Sequence, residues 1–212
     1  MTKFHFIRHG QSEGNRAAAK AAELRRLRLD IPWPTHDIPL SLKGEEQAKS
    51  IKCPEAEIAF TSPLLRARQT MHHALPYLRY FVRDARLIDK ESGVFDKLSV
   101  LGMQTLYPEE WAERERVGKF YHRPTGGESW DDVVERVQWF MDTWAGRFES
   151  VLVFSHDVTI LCAIYIALDM SPDEILDYQK VNPIENGSIT TLTYEGAKEE
   201  SDENRRVRLV AH

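Results

Sequence analysis

Two arginines and two histidines in this chain have the types and the settings to do chemistry together. They are Arg8 and His9 in Arg8-His9-Gly10, Arg66 in Ser62-Pro63-Leu64-Leu65-Arg66, and His156 in Ser155-His156-Asp157. A guanidinium donates paired hydrogen bonds to phosphate oxygens. A histidine can attack phosphorus through an unprotonated ring nitrogen if the other nitrogen is held by a backbone carbonyl or a carboxylate. The four residues therefore read as a phosphate site with a phosphohistidine intermediate on His9, on condition that the fold gathers them.

The surrounding elements supply that condition. Phe4 to Ile7 is a short apolar, β-prone run that hands over to a loop at His9, Ile58 to Phe60 is a second strand before Ser62, and Val151 to Phe154 is a further one before His156. Tyr80 to Val82 reads as a third strand, and Ser188 to Tyr194 and Val207 to Val210 as closing strands. Helices are expected from Asn15 to Leu29, from Ser41 to Ser50, from Ser62 (as cap, with Pro63 first) to Leu75, from the capping box at Ser129-Trp130-Asp131-Asp132, and from Val158 to Leu168. Alternating strands and helices imply an α/β fold: a three-layer domain with a mostly parallel central sheet, helices on both faces, and ligands beyond the strand C-termini. The stretch 84–127 mixes aromatics, charges and single prolines without clean periodicity and is expected to be an irregular, partly helical cap insertion in a single domain, 1–212.

Bulk properties narrow the partners. With 212 residues and 42% hydrophobic content the chain can bury one sizeable core, and its net charge of −5 speaks against nucleic acid as a partner. No apolar stretch reaches the ~18 residues of a bilayer span, and Met1 to Ile7 lacks a leader core, so no membrane partner and a cytoplasmic setting are expected. Cys53 and Cys162 form no disulfide framework, and His5, His36, His72, His73, His122 and His212 show no paired ligand spacing, so neither metal nor cofactor is implied. Arg25, Arg26 and Arg28 read as a solvated helix face rather than an anion grip. The pattern is silent on oligomeric state.

The segment Arg8-His9-Gly10-Gln11-Ser12-Glu13-Gly14-Asn15 resembles the signature of the histidine phosphatase superfamily, the phosphoglycerate mutase-like family. Pro39-Leu40-Ser41-Leu42-Lys43-Gly44 with Gln47-Ala48, Thr61 to Thr70, Gly126-Gly127-Glu128-Ser129, Phe154-Ser155-His156 and Asn186-Gly187-Ser188-Ile189 extend the resemblance over nearly the whole chain. It implies that His9 is the nucleophile, that Arg8, Arg66 and His156 hold the phosphoryl oxygens, and that Asn15 and Ser62 add hydrogen bonds. The implied activity is a phosphatase acting on a small phosphomonoester. The alternatives are a phosphoglycerate mutase-type phosphomutase and a catalytically weak phosphate-binding regulatory module.

Two departures bear on mechanism. The family's general acid is a Glu in Leu-x-Glu-x-x-x-Gly, whereas Leu87-Ile88-Asp89-Lys90-Glu91-Ser92-Gly93 puts Asp89 there; spacing favours Asp89 and side-chain type favours Glu91. Asp157 follows the distal histidine where the family commonly has Gly, and a carboxylate beside phosphate must be paired, turned away, or used to cap the helix near Val158. Between Val94 and Arg123, Trp111, Arg114, Arg116, Lys119 and Tyr121 could select the substrate.

Overall fold

Five strands and eight α-helices account for most of residues 1–196, the residues that the structure, a computed structural model, describes. In chain order they are β1 (Thr2–Arg8), α1 (Glu13–Glu23), α2 (Leu42–Ser50), β2 (Ile58–Thr61), α3 (Leu65–Ala74), β3 (Val82–Arg83), α4 (Val100–Leu106), α5 (Pro108–Val117), α6 (Trp130–Trp144), β4 (Ser150–Ser155), α7 (Asp157–Ala167), α8 (Pro172–Val181) and β5 (Ile189–Tyr194). The sheet order is β3-β2-β4-β1-β5; β1, β2, β3 and β4 are parallel and β5 runs antiparallel to β1. The expected strand at Val207 to Val210 lies outside the described residues.

Strand alternation sorts the core into two layers. Phe4, Phe6, Phe60, Val151 and Val153 face α6 and α7 through Val133, Val137, Phe140, Met141, Ile160, Leu161 and Ile164, all of them buried. Ile7, Ala59, Leu152 and Phe154 point the other way, onto Met71 of α3, with Ile51, Leu75 and Phe81 around the edge. Each large apolar side chain removed from water contributes about 1.5–3 kcal/mol, so burial on both faces fixes the sheet and the register of its strand tips. The expected three layers are present.

Several expected boundaries are corrected. The first helix starts at Glu13, because Ser12 and Asn15 form a capping box, and it stops at Glu23, because Arg25 turns to φ 51° and the chain then pairs with the 97–99 segment through Leu29 N–H to Lys97 O at 2.9 Å. The third strand is Val82–Arg83; Tyr80 is exposed. Ser62 does not cap α3, whose N-cap is Leu64 without a side-chain bond. The α8 helix went unread although Ser171-Pro172-Asp173-Glu174 is a capping box. Segment 84–127 contains α4, α5 and short 3-10 turns at Ala85–Leu87 and Gly93–Phe95. Arg25, Arg26 and Arg28 are exposed as expected but lie past the end of α1, so they are solvated loop residues rather than a helix face.

Candidate active site

Three neighbouring strand tips, β2, β4 and β1, deliver the site. Ser62 N–H bonds Phe154 O at 2.9 Å and His9 N–H bonds Ser155 O at 3.0 Å, so the ladder continues past the strands and sets His9, Ser62 and His156 side by side. The rings of His9 and His156 lie 5.1 Å apart at 61°, and both are buried.

The loop carrying His9 is fixed by close backbone packing on α2 and α3. A Cβ on Gly10 would come within 2.3 Å of Gly44 O, and one on Gly44 within 2.0 Å of Gln11 O, so neither position has room for a side chain. Gly10 N–H donates to Thr70 Oγ1 at 3.0 Å, whose hydroxyl donates to Arg66 O at 2.7 Å; Gln11 N–H donates to Gln47 Oε1 at 2.8 Å. Asn186 Nδ2 donates to His9 O at 3.0 Å, and Gly187, at φ 79°, donates its N–H to Arg8 O at 3.1 Å. Thr70, Gln47 and Asn186 lie inside the motif segments but were given no part by sequence reasoning. Their position within the motifs was the available signal.

The protonation of His9 follows from its partner. Nδ1 lies 2.7 Å from Gly10 O, which can only accept, so Nδ1 carries the hydrogen and Nε2 presents a lone pair. Arg66 Nε donates to that Nε2 at 3.3 Å. Burial, then the neighbouring His156 and Arg66, holds the His9 pKa well below 6.5. His156 is held well below 6.5 by burial first and by Arg66, Arg136 and Arg8 after it.

Arg66 anchors the opposite wall. Its guanidinium also donates to Thr35 O at 3.1 Å and to Asp89 Oδ2 at 2.9 Å. His156 Nε2 lies 2.9 Å from Ser62 Oγ, so this hydroxyl orients His156. Among the described residues, His156 Nδ1 and Arg8 Nε are buried polar atoms without a hydrogen-bond partner, and the nearest carboxylate oxygen to Nδ1, Asp89 Oδ2, is 3.7 Å away. Two unsatisfied buried nitrogens beside a nucleophile are what a bound oxyanion would satisfy.

The remaining expected residues divide. Asp89 joins the cluster through Arg66; Glu91 has an exposed side chain, and its backbone is pinned by Glu128, with Glu91 N–H to Glu128 Oε2 at 3.0 Å and Glu128 N–H to Glu91 O at 2.9 Å. Glu128 is itself gripped by Arg136 at 2.8 and 3.0 Å. Asn15 Oδ1 accepts from Ser12 N–H and hydroxyl at 3.0 and 3.1 Å, so this end of its amide serves α1. Asp157 is the first residue of α7 rather than its cap; Oδ1 accepts from Val158 N–H at 2.9 Å and Oδ2 pairs with Arg8 Nη2 at 3.2 Å. A cavity of about 250 Å³ lined by Arg16, Lys20, Arg26 and Trp33 includes none of these site residues. Among the described residues no group of three or more His, Cys, Asp or Glu side chains could hold a metal, and no helix is long and apolar enough to cross a membrane.

A strand-tip histidine with a fixed tautomer, ringed by arginines and a second histidine at the C-terminal edge of a parallel sheet, defines a histidine phosphatase fold and site. The family model of the histidine phosphatase superfamily (branch 1) matches residues 4–204, and the chain belongs to that family. The 6-phosphofructo-2-kinase/fructose-2,6-bisphosphatase of Aquarana catesbeiana is 30% identical over 173 residues, covering 78% of this chain and 35% of that protein. Human 6-phosphofructo-2-kinase/fructose-2,6-bisphosphatase 1 is 32% identical over 143 residues, covering 67% of this chain and 29% of that protein. The chain thus spans about a third or less of the length of these relatives. The alpha-ribazole phosphatase of Shigella flexneri superposes with a TM-score of 0.72 at 17% identity, covering 94% of this chain and all of that one. The phosphoglycerate mutase of Thermus thermophilus superposes at 0.61 with 23% identity, covering 93% and 100%. At these identities the structural likeness establishes the fold.

Proposed function

We propose that the chain is a phosphatase that hydrolyses a small phosphomonoester through a phosphohistidine on His9. The observation that carries this reading is the tautomer of His9: Nδ1–H is committed to Gly10 O, which leaves Nε2 as a buried, unprotonated nucleophile facing Arg66. Nε2 forms a bond to phosphorus as the bond to the leaving oxygen breaks. Arg8, Arg66 and His156 take up the charge spreading over the phosphoryl oxygens, where one such contact supplies a few kcal/mol.

Asp89, paired with Arg66 in the free site, takes up a proton from solvent as the phosphoryl group replaces it on Arg66, gives that proton to the leaving oxygen, and then takes one from the water that cleaves the phosphohistidine. Its place beside Arg66 and His156 supports this role over Glu91, whose backbone is fixed by Glu128 and whose side chain is exposed. Asp89→Asn should abolish most turnover and Glu91→Gln should not; the reverse result assigns the acid to Glu91.

Segment 84–127 acts as the cap that meets the rest of the substrate. Lys90 and Lys119 both feel Arg114, and burial pushes both amines down. Arg114 stacks at 4.7 Å on Trp111 and Lys119 at 4.9 Å on Trp130, and these cationic and aromatic pairs on and beside the segment support a cap for an anionic or polar leaving group. Measuring inorganic phosphate released from a panel of phosphorylated metabolites, beside isomerisation of 3-phosphoglycerate, tests the reading. Net release is expected; isomerisation without release makes the chain a mutase.

A further inference from the structure

Asp157 stands where phosphoryl transfer on His9 requires no carboxylate. Its Oδ1 is held by Val158 N–H at 2.9 Å at the start of α7, and its Oδ2 lies 3.2 Å from Arg8 Nη2. The other terminal nitrogen of Arg8, Nη1, donates to Ile184 O, and Nε is buried without a partner among the described residues. The charged groups that act on Asp157 are Arg8 from β1, Arg66 from α3, Asp89 from the loop after β3, and Lys119 from the segment before α6. Burial raises the Asp157 pKa above its ordinary value, and Asp89 raises it further, against the opposing pull of Arg8.

A phosphoryl group arriving at Arg8 thus meets an anion already seated there. Two anions on one partly buried guanidinium repel, and the repulsion is relieved when one of them takes up a proton. Asp157 cannot simply turn away without giving up its bond to Val158 N–H. We propose that Asp157 is a proton-gated positioning residue on Arg8: ionised, it holds the guanidinium against an incoming phosphoryl group, and protonated, it yields Arg8, so that anion binding at the site takes up a proton. This rests on Arg8 being a phosphoryl ligand, as in the function proposed above.

Inorganic sulfate is the suitable probe, because it remains a dianion over the working pH range and so adds no titration of its own. Calorimetry of sulfate binding to the unmodified protein and to Asp157→Asn, each in two buffers of different ionisation enthalpy, reads proton uptake; the unmodified protein is expected to take up a fraction of a proton more per sulfate than the variant, most strongly on the acid side of neutral where Asp157 titrates. Asp157→Asn keeps an oxygen for Val158 N–H and removes the charge. A neighbouring dianion shifts a carboxyl by about one unit or more, and by reciprocity the variant should bind sulfate about tenfold tighter than the unmodified protein at neutral pH. The two should converge as pH falls and Asp157 protonates. Equal proton uptake by the unmodified protein and Asp157→Asn overturns the inference while leaving the phosphate site intact, as does an affinity ratio that stays constant with pH. Failure of sulfate to bind either protein overturns both readings.

Discussion

Replacing Arg66 by lysine separates its charge from its geometry. The guanidinium makes three directed contacts from one plane, to His9 Nε2 at 3.3 Å, Thr35 O at 3.1 Å and Asp89 Oδ2 at 2.9 Å. A lysine keeps the charge but has a single nitrogen, so it cannot serve the phosphoryl group and hold these partners together. Loss of one preorganised transition-state donor costs about 10²–10³ in kcat, or about 2.7–4 kcal/mol. The stability cost is smaller: Asp89 is 29% exposed, so after solvent screening its lost pairing is worth about 1 kcal/mol. In a chain of this size that lowers Tm by about 2–4 °C. Steady-state hydrolysis of an aryl phosphate and a thermal melt on the same preparation give both numbers. A kcat within about threefold of the unmodified protein, with the Tm loss present, refutes the reasoning by making Arg66 a structural residue.

Other substitutions probe the support. Gly44→Ala should cost about 1–3 kcal/mol and disturb turnover as well, since its Cβ would lie 2.0 Å from Gln11 O in the nucleophile loop; a variant with unchanged Tm and kcat contradicts the close approach. His9 and His156 are both held well below 6.5, so the folded protein keeps them neutral where the unfolded chain takes up protons. Their contribution to stability is complete above about pH 6.5 and is lost as pH falls below it, by about 1.4 kcal/mol per pH unit for each histidine. His156→Gln should therefore flatten the acid slope measured by urea titration at stepped pH, and an unchanged slope refutes the assignment. Lys119→Met should raise KM more than it lowers kcat; an effect confined to kcat contradicts a substrate-facing cap.

How much of this was legible beforehand differs from residue to residue. The gathering of Arg8, His9, Arg66 and His156 could be read because each follows a short apolar run, and parallel strands place such positions along one edge. Ser62 was misread because Ser-Pro signals a helix start; Leu64 stays extended at ψ 138°, and the serine hydroxyl goes to His156 instead. Spacing favours Asp89 and side-chain type favours Glu91; the support for Asp89 that sequence could not supply lies in long-range contacts, since Gly93 at φ 53° packs against Thr125 O and Glu128 pins the backbone of Glu91. The end of α1 likewise depends on Arg25 adopting a left-handed turn so that the following segment can pair with residues 97–99, a tertiary demand that overrides helix propensity. Asp157 was expected to be paired, turned away or to cap the helix near Val158; it pairs with Arg8 and does not cap, because α7 begins at Asp157 itself with His156 as its N-cap.

The central claim is the covalent intermediate on His9, and rapid acid-free quenching with a phosphate-labelled substrate tests it most directly. The unmodified protein should carry acid-labile, alkali-stable label on a peptide containing His9, formed and discharged at rates consistent with kcat, and His9→Ala should carry none. Steady turnover with no label on the unmodified protein, or equal label on His9→Ala, contradicts the account.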